Sequence, residues 1–385
     1  MKIEVSKKNF IKKGCLAVAS ILFVLFLYNI NQIDKEAFYD TEGRNFVKAK
    51  VVEIIEDNVT ESGIYVGNQT VMISITSGEF KGEILEATSS SSYLYGTHCE
   101  VGKKVIAIVS ESNGTYVASV YSVDRAAMIY LIIGIFVLTI ILIGGKKGLG
   151  SVIGLGFTII CILFLYLPLI YRGISPVLAA IIVALITTCA TMYLIGGWSI
   201  KTLASSTGTV IGVIIAGVFA ILFSKMTEIT GYNVSDIENL IYVGEKTSIQ
   251  IGELMFSGIL IAALGAVMDV AMSIASTILE IDEKNPTLTR KELFKSGMNV
   301  GKDMMGTMSN TLILAFTGGS INTLVFIYAY NYQYNQIINL HSIGIEIIQG
   351  IASSMGVILT VPCVSLITCM LVKREKKSGC LNYGN

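Results

Sequence analysis

Apolar residues gather in eight long runs, and the polar positions fall mostly between them. The runs span Cys15–Ile30, Ala126–Ile143, Ser151–Tyr171, Pro176–Ile195, Leu203–Met226, Leu254–Ile281, Met304–Tyr330 and Ile351–Val372. About 20 apolar residues suffice for a helix to cross a bilayer, so each run predicts a spanning helix. The first is short, and Gly318-Gly319-Ser320 interrupts the seventh. Residues 32–125 follow another rhythm. Val47–Ile55, Val71–Thr76, Phe80–Ala87, Val105–Ser110 and Tyr116–Val123 are rich in Val, Ile, Thr and Tyr, and several alternate: Val71, Ile73 and Ile75 on one face, Val105, Ala107 and Val109 on another. Gly67-Asn68, Ser77-Gly78, Gly102 and Asn113-Gly114 punctuate them. Period-two runs between turn residues predict strands, and Asn113-Gly114 a hairpin turn. Five strands in so short a stretch suggest a small all-β unit, a barrel of OB-like type.

Charge orients the helices. With the N-terminus inside, the cytoplasmic segments hold Lys2, Lys7, Lys8, Lys12, Lys13, Lys146, Lys147, Lys201, Lys284, Arg290, Lys291, Lys295, Lys302, Lys373, Arg374, Lys376 and Lys377. The short outer loops hold only Arg172, Lys225 and Lys246. Basic residues accumulate on the cytoplasmic side, so both termini are expected there and residues 32–125 outside. The first run has the basic flank of a signal peptide but no small-residue cleavage site after Tyr28-Asn29-Ile30, which favours an uncleaved anchor. The expected organisation is a cytoplasmic start and anchor (1–31), an extracytoplasmic β domain (32–125), a seven-helix membrane domain (126–372) and a basic cytoplasmic tail (373–385).

Composition agrees. Of 385 residues only 15% are charged against 53% hydrophobic, and 28 basic residues balance 28 acidic ones. That ratio excludes a soluble enzyme, and the missing basic excess excludes a nucleic-acid binder. The β segment is acidic, which argues against nucleic acid for an OB-like barrel here. Ser89-Ser90-Ser91-Ser92 reads as a loop. Only Cys99 of the seven cysteines falls outside, so no disulfide forms within the β segment. His98 beside Cys99 is too little for a metal site. No Walker A, G-x-S-x-G or HExxH motif occurs, so no cofactor, metal or catalytic set is indicated and the chain reads as a non-enzyme.

One carboxylate stands inside a predicted span. Asp269 lies about midway along the sixth, on a stripe with Gly258, Ala262, Gly265, Ser273 and Ser276; Ile259, Ile261, Leu264, Val267 and Ile274 take the opposite face. Placing Asp at mid-bilayer costs about 2.5–3.5 kcal/mol, so it is expected to face protein or a water cavity. It is then a candidate proton- or cation-coupling group, or a structural carboxylate bonded to a neighbouring hydroxyl or amide. After it, Thr289-Arg290-Lys291-Glu292 fits a capping box, opening a short basic helix along the membrane surface with Leu293 and Phe294 inward. Asp303, Thr307, Asn310 and Thr317 share the next face; Thr307 and Asn310 join Asp269, Ser273 and Ser276 as the candidate polar site, Asn310 within reach of Asp269 or Ser276. Asp303 and Asn299 mark a gate or boundary. An aspartyl dyad of Asp269 and Asp303 is rejected, because helix rise puts them about 16 Å apart in depth. Ala204, Gly208, Gly212, Ala216 and Ala220 form a small-residue ladder, best read as helix packing. Pro168 and Pro362 are candidate kinks.

Several runs in order resemble the YibE/F-like family of bacterial multi-pass membrane proteins. They are Gly258–Ser276, Asn285-Pro286 through Arg290–Phe294, Ser296–Asn299, Gly306–Met308 and Asn310–Phe316, with Ile75–Glu79, Gly144–Gly148 and Gly196-Gly197. The resemblance extends over residues 45–370. It implies an anchor, an outer domain and a polytopic core in a bacterial plasma membrane, and carries over no activity and no catalytic residue. The residues leave three readings. The first is a permease or exporter of a small solute or ion coupled through Asp269. The second is a non-transporting scaffold or envelope sensor acting through the outer domain, and the third an intramembrane enzyme. The lipid bilayer is the one partner implied directly; a homo-oligomer or a partner membrane protein fits as well.

Overall fold

The structure, a computed structural model, describes residues 18, 20–33, 43–58, 67–90, 97–112 and 115–381, with side chains described for these except 112 and 373–381. The Asn113-Gly114 turn, Ser91-Ser92, the lysines before Cys15 and the side chains of the basic tail lie outside that set. The chain divides into two compact units, one of residues 36–139 and one of 1–35 with 140–385.

The smaller unit is built on β1 (Arg44–Glu56), β2 (Asn68–Ile75), β3 (Ile84–Ser90), β4 (Lys104–Ser112) and β5 (Thr115–Val123). They close into a barrel in the order β1-β2-β3-β5-β4, antiparallel except for the β3–β5 pair. The alternation read from the sequence sets the inside. Val71, Ile73, Ile75, Val105, Ala107 and Val109 are all buried, with Val47, Ala49 and Val51 from β1. The third strand begins later than expected. Phe80 lies in a turn where Gly78 has φ +81°, and the strand runs on through Ser89 and Ser90. Ser89 is no loop residue: its buried hydroxyl donates to the Thr97 carbonyl at 2.6 Å. Cys99 is fully buried with Gln69, which accepts from the Cys99 N–H at 2.7 Å and donates to its carbonyl at 3.1 Å. Burial pushes the Cys99 thiol above the usual thiol range.

The larger unit is helical. Its described elements are α1 (Ser20–Ile30), α2 (Ala126–Cys161), α3 (Leu167–Tyr171), α4 (Pro176–Gly196), α5 (Ile200–Thr227), α6 (Ile237–Lys246), α7 (Leu254–Lys284), α8 (Arg290–Gly319), α9 (Ile321–Ala329), α10 (Tyr334–Ile338) and α11 (His341–Leu381); α2 begins within the smaller one. Five helical stretches are long and apolar enough to cross a membrane, or six counting the bent pair α8–α9 as one. One of the five, Ala126–Tyr171, is 46 residues long. It is not straight. Gly145 adopts φ 54° and ψ −131°, and a Cβ on Gly148 would stand 2.2 Å from the Ile140 carbonyl oxygen. Eight residues of continuous helix would separate the two by about 12 Å, so the chain folds back at this glycine. The second and third apolar runs are thus its two arms. Before Pro168 the helix widens into a π-helical turn, Ile162–Tyr166, which absorbs the missing N–H of proline. There the Tyr166 and Ser257 hydroxyls meet at 2.5 Å. Arg172 donates to the Asn29 carbonyl at 3.1 Å, fastening the end of α1.

At the centre α5 packs on α4, α7 and α11, and α11 packs also on α7 and α8. The ladder from Ala204 to Ala220 is buried throughout. A Cβ on Gly208 would lie 2.1 Å from Val364, and one on Gly212 would lie 1.8 Å from Thr360. The expected packing role holds, because only glycine admits α11 so close.

Candidate functional site

α7 brings the expected site residues onto one stripe, but the stripe points the other way. Ile259, Leu264, Val267 and Ile274, expected on the outer side, are buried against the bundle. Gly258, Ala262, Gly265 and Asp269 are exposed, with Ser273 and Ser276 half-buried. A Cβ on Gly258 or Gly265 would meet nothing within 4 Å. Within the single chain Asp269 is thus exposed. The buried side of α7 carries Ala263, Ala271 and Ala275 beside the branched residues, so small size alone does not mark its inner face. Among the described residues no hydrogen bond or ion pair engages the Asp269 carboxylate.

α8 is corrected in two ways. Its capping box forms as read: the Glu292 carboxylate accepts from the Thr289 N–H at 2.7 Å, and Leu293 is buried. The helix then runs without a break from Arg290 to Gly319, so no separate surface helix precedes the seventh run. Its register on α7 follows from two close approaches. A Cβ on Gly297 would lie 2.6 Å from Ile278, and one on Gly301 would lie 3.2 Å from Ile274. Continued along two antiparallel helices, that register sets Asp269 level with Gly306. Asp303 is three residues from that level, about 4.5 Å along the axis rather than 16 Å. The two carboxylates nevertheless face apart, because Asp269 lies opposite Ile274 on α7 and Asp303 opposite Gly301 on α8, and Gly301 and Ile274 are the residues that meet. Asn299, Asp303, Gly306, Thr307 and Asn310 are all exposed, opposite the buried Leu293, Gly297, Gly301 and Leu312. Thr307 bonds back to the Met304 carbonyl at 3.0 Å, and Asn310 reaches neither Asp269 nor Ser276.

Ser276 has another partner. Lys201, at the start of α5, donates to its hydroxyl at 2.9 Å. The pair lines a cavity of about 500 Å³ with Glu280, Glu283 and Lys284. The candidate residues thus fall on two separate exposed faces, that of α7 opposite Ile274 and that of α8 opposite Gly297 and Gly301, and the α7 face ends at the charged cavity. Among the described residues no three His, Cys, Asp or Glu side chains converge as a metal would need.

A second polar region escaped the sequence reading. α8 and α9 meet at Ser320 with a bend of 62°. Two cavities of about 350 and 340 Å³ adjoin the bend, sharing Ser320, Ile343 and Glu346 of α11. The Gly318-Gly319-Ser320 interruption pointed to the break; nothing in the local pattern pointed to Glu346.

The family model of YibE/F-like proteins matches residues 132–374, more than half of the chain, and the chain belongs to that family. The match lies almost wholly in the helical unit and leaves the five strands of the barrel outside. No curated protein and no solved structure matches the chain.

Proposed function

We propose that this YibE/F-like protein is a multi-pass permease or exporter of a small solute or ion in the bacterial plasma membrane. In this reading eight spans leave both termini in the cytoplasm and residues 32–125 outside, and the protein works as an oligomer without enzymatic activity. The observation that carries it is the exposed polar face of α7 around Asp269. Asp269 lies on a helix long and apolar enough to cross a membrane, while Asp303, Thr307 and Asn310 lie on a separate exposed face of the bent pair α8–α9; among the described residues no hydrogen bond or ion pair engages the Asp269 carboxylate. Hydrocarbon is a poor neighbour for the α7 face, since a mid-bilayer carboxylate costs about 2.5–3.5 kcal/mol. A second copy set against this face of α7 would enclose it, and the bare Gly258 and Gly265 leave room for close approach. Asp269 would exchange its proton within that enclosed face, and Lys201, Ser276 and the charged cavity would form its cytoplasmic end.

The test is Asp269→Asn in proteoliposomes loaded with a pH-sensitive dye and challenged with a panel of ions and small solutes. Loss of solute-driven proton movement in the variant is expected; unchanged movement ends the coupling assignment. A scaffold or sensor reading has its own observation, the aromatic pairs Phe46–Tyr121 and Phe80–Tyr116 on the barrel wall, with ring centroids 5.3 and 5.0 Å apart. Deleting 40–122 separates the readings: function lost there but kept in Asp269→Asn favours the scaffold.

A further inference from the structure

We infer that the break between α8 and α9 is a binding site for an organic cation, a compact ammonium or amidinium group on an apolar body, with Glu346 as its counter-charge. The two cavities at the break differ in character. The first is walled by Ile313, Phe316, Leu324, Ile347 and Ile351, an apolar lining with Glu346 at its edge. The second is walled by Asn233, Ser235, Thr323 and Ser342, with Glu346 shared between them. The Glu346 side chain is only partly exposed, and among the described residues no hydrogen bond or ion pair engages it. No Lys, Arg or His lines either cavity.

A half-buried carboxylate without a cation in its walls favours a ligand that supplies one. Ser320 both ends α8, its N–H turning back to the Phe316 and Thr317 carbonyls at 3.1 and 3.2 Å, and begins α9, so opposite helix ends meet there and the Glu346 carboxylate sets the sign of the site. Anions are disfavoured by the carboxylate. A bare metal ion would use the carboxylate and leave the apolar wall unused. An organic cation uses both: its charge sits at Glu346, its body lies among Phe316, Leu324 and Ile351, and hydroxyl and amide groups of the second cavity face its remaining polar edge. A few convergent polar groups beside a mostly apolar wall are the usual make-up of a small-molecule site. The inference concerns binding alone and does not require that the ligand is carried or that Asp269 couples anything.

The experiment is calorimetric titration of the purified full-length protein in detergent with benzyltrimethylammonium chloride, and separately with sodium benzenesulfonate and tetramethylammonium chloride. Saturable binding of the first is expected, with the sulfonate inert and tetramethylammonium weaker. Glu346→Gln should weaken binding at least about tenfold, the range for a lost charged partner. Gly350→Val is the second variant. A Cβ there stands 3.7 Å from Phe316 and 3.8 Å from Ile313, ordinary contact, so the added methyls take up space in the first cavity with the carboxylate intact. It should weaken the benzyl ligand more than tetramethylammonium. Equal affinity in Glu346→Gln, equal binding of the sulfonate, or tetramethylammonium binding as tightly as the benzyl compound would overturn the assignment.

Discussion

Glycines on the two sides of the helical unit provide a direct test of which faces are inside. Gly212 of α5 sits where a Cβ would be 1.8 Å from Thr360 Oγ1 and 2.6 Å from Val267 Cγ1. Ordinary contact begins at 3.4 Å, so Gly212→Ala must open about 1.6 Å between α5 and α11. Thr360 cannot yield freely, because its buried hydroxyl donates to the Gly356 carbonyl at 2.7 Å. Overpacking of this kind costs up to about 3 kcal/mol, from which alanine's better helix propensity recovers about 1 kcal/mol, a net loss of about 2 kcal/mol. Gly265 of α7 faces open space, so Gly265→Ala meets no clash and gains up to about 1 kcal/mol. The two variants should differ by about 3 kcal/mol in detergent-mixture unfolding followed by circular dichroism, at a dilution that holds the protein monomeric. Equal stability, or the reverse order, would refute the inside-out placement of α7. In a membrane, cross-linking should show Gly265→Leu losing oligomer while its monomer stays folded.

Three further outcomes follow. Thr289→Ala removes the hydroxyl that accepts the Glu292 N–H at 3.3 Å, and should cost about 1 kcal/mol in the same unfolding assay. Cys99 is fully buried and its thiol pushed up, so in a variant with the other six cysteines replaced by serine it should resist maleimide until the barrel unfolds; labelling at the rate of a free thiol would contradict its place in the barrel core. The Ala126 N–H, with Lys48 at 3.3 Å, holds the Asp124 carboxyl below the usual range. A depressed carboxylate stabilises the fold above its ordinary unfolded pKa and loses that contribution as pH falls through its folded one. Acid titration should therefore destabilise Asp124→Asn less than the parent below about pH 4, and parallel acid curves would remove the assignment.

The barrel was legible because its alternation has one meaning. In β2 and β4 the apolar positions can only be the inner ones when the other face meets water. The helices were legible as elements but not in their facing. On α7 the stripe from Gly258 to Ser276 was visible, yet an apolar face suits both lipid and core, so Val267 and Ile274 gave no sign of which they touch. Polarity alone suggested Asp269 inside; Ile259 and Val267 are there instead. The start of α8 is hidden for a different reason. Basic residues 290–302 suggested a helix on the membrane surface, but Gly297 and Gly301 let that segment pack directly on Ile278 and Ile274 as the first turns of α8. Glu346 passed unnoticed because its setting arises from three elements, α8, α9 and α11, brought together by a bend.

The closed order of the barrel limits what it can do with another protein. A sheet with a free border can recruit a peptide as one more strand through its backbone, whatever the side chains. Here β1 pairs with both β2 and β4, and a parallel run of three residue pairs between β3 and β5 closes the ring, so among the described residues no strand offers a free border along its whole length. The closed order favours recognition through side chains or the connecting loops over strand addition. Such binding depends on sequence rather than on shape alone, and it lets the domain stand among other strand-rich surfaces without adding to them.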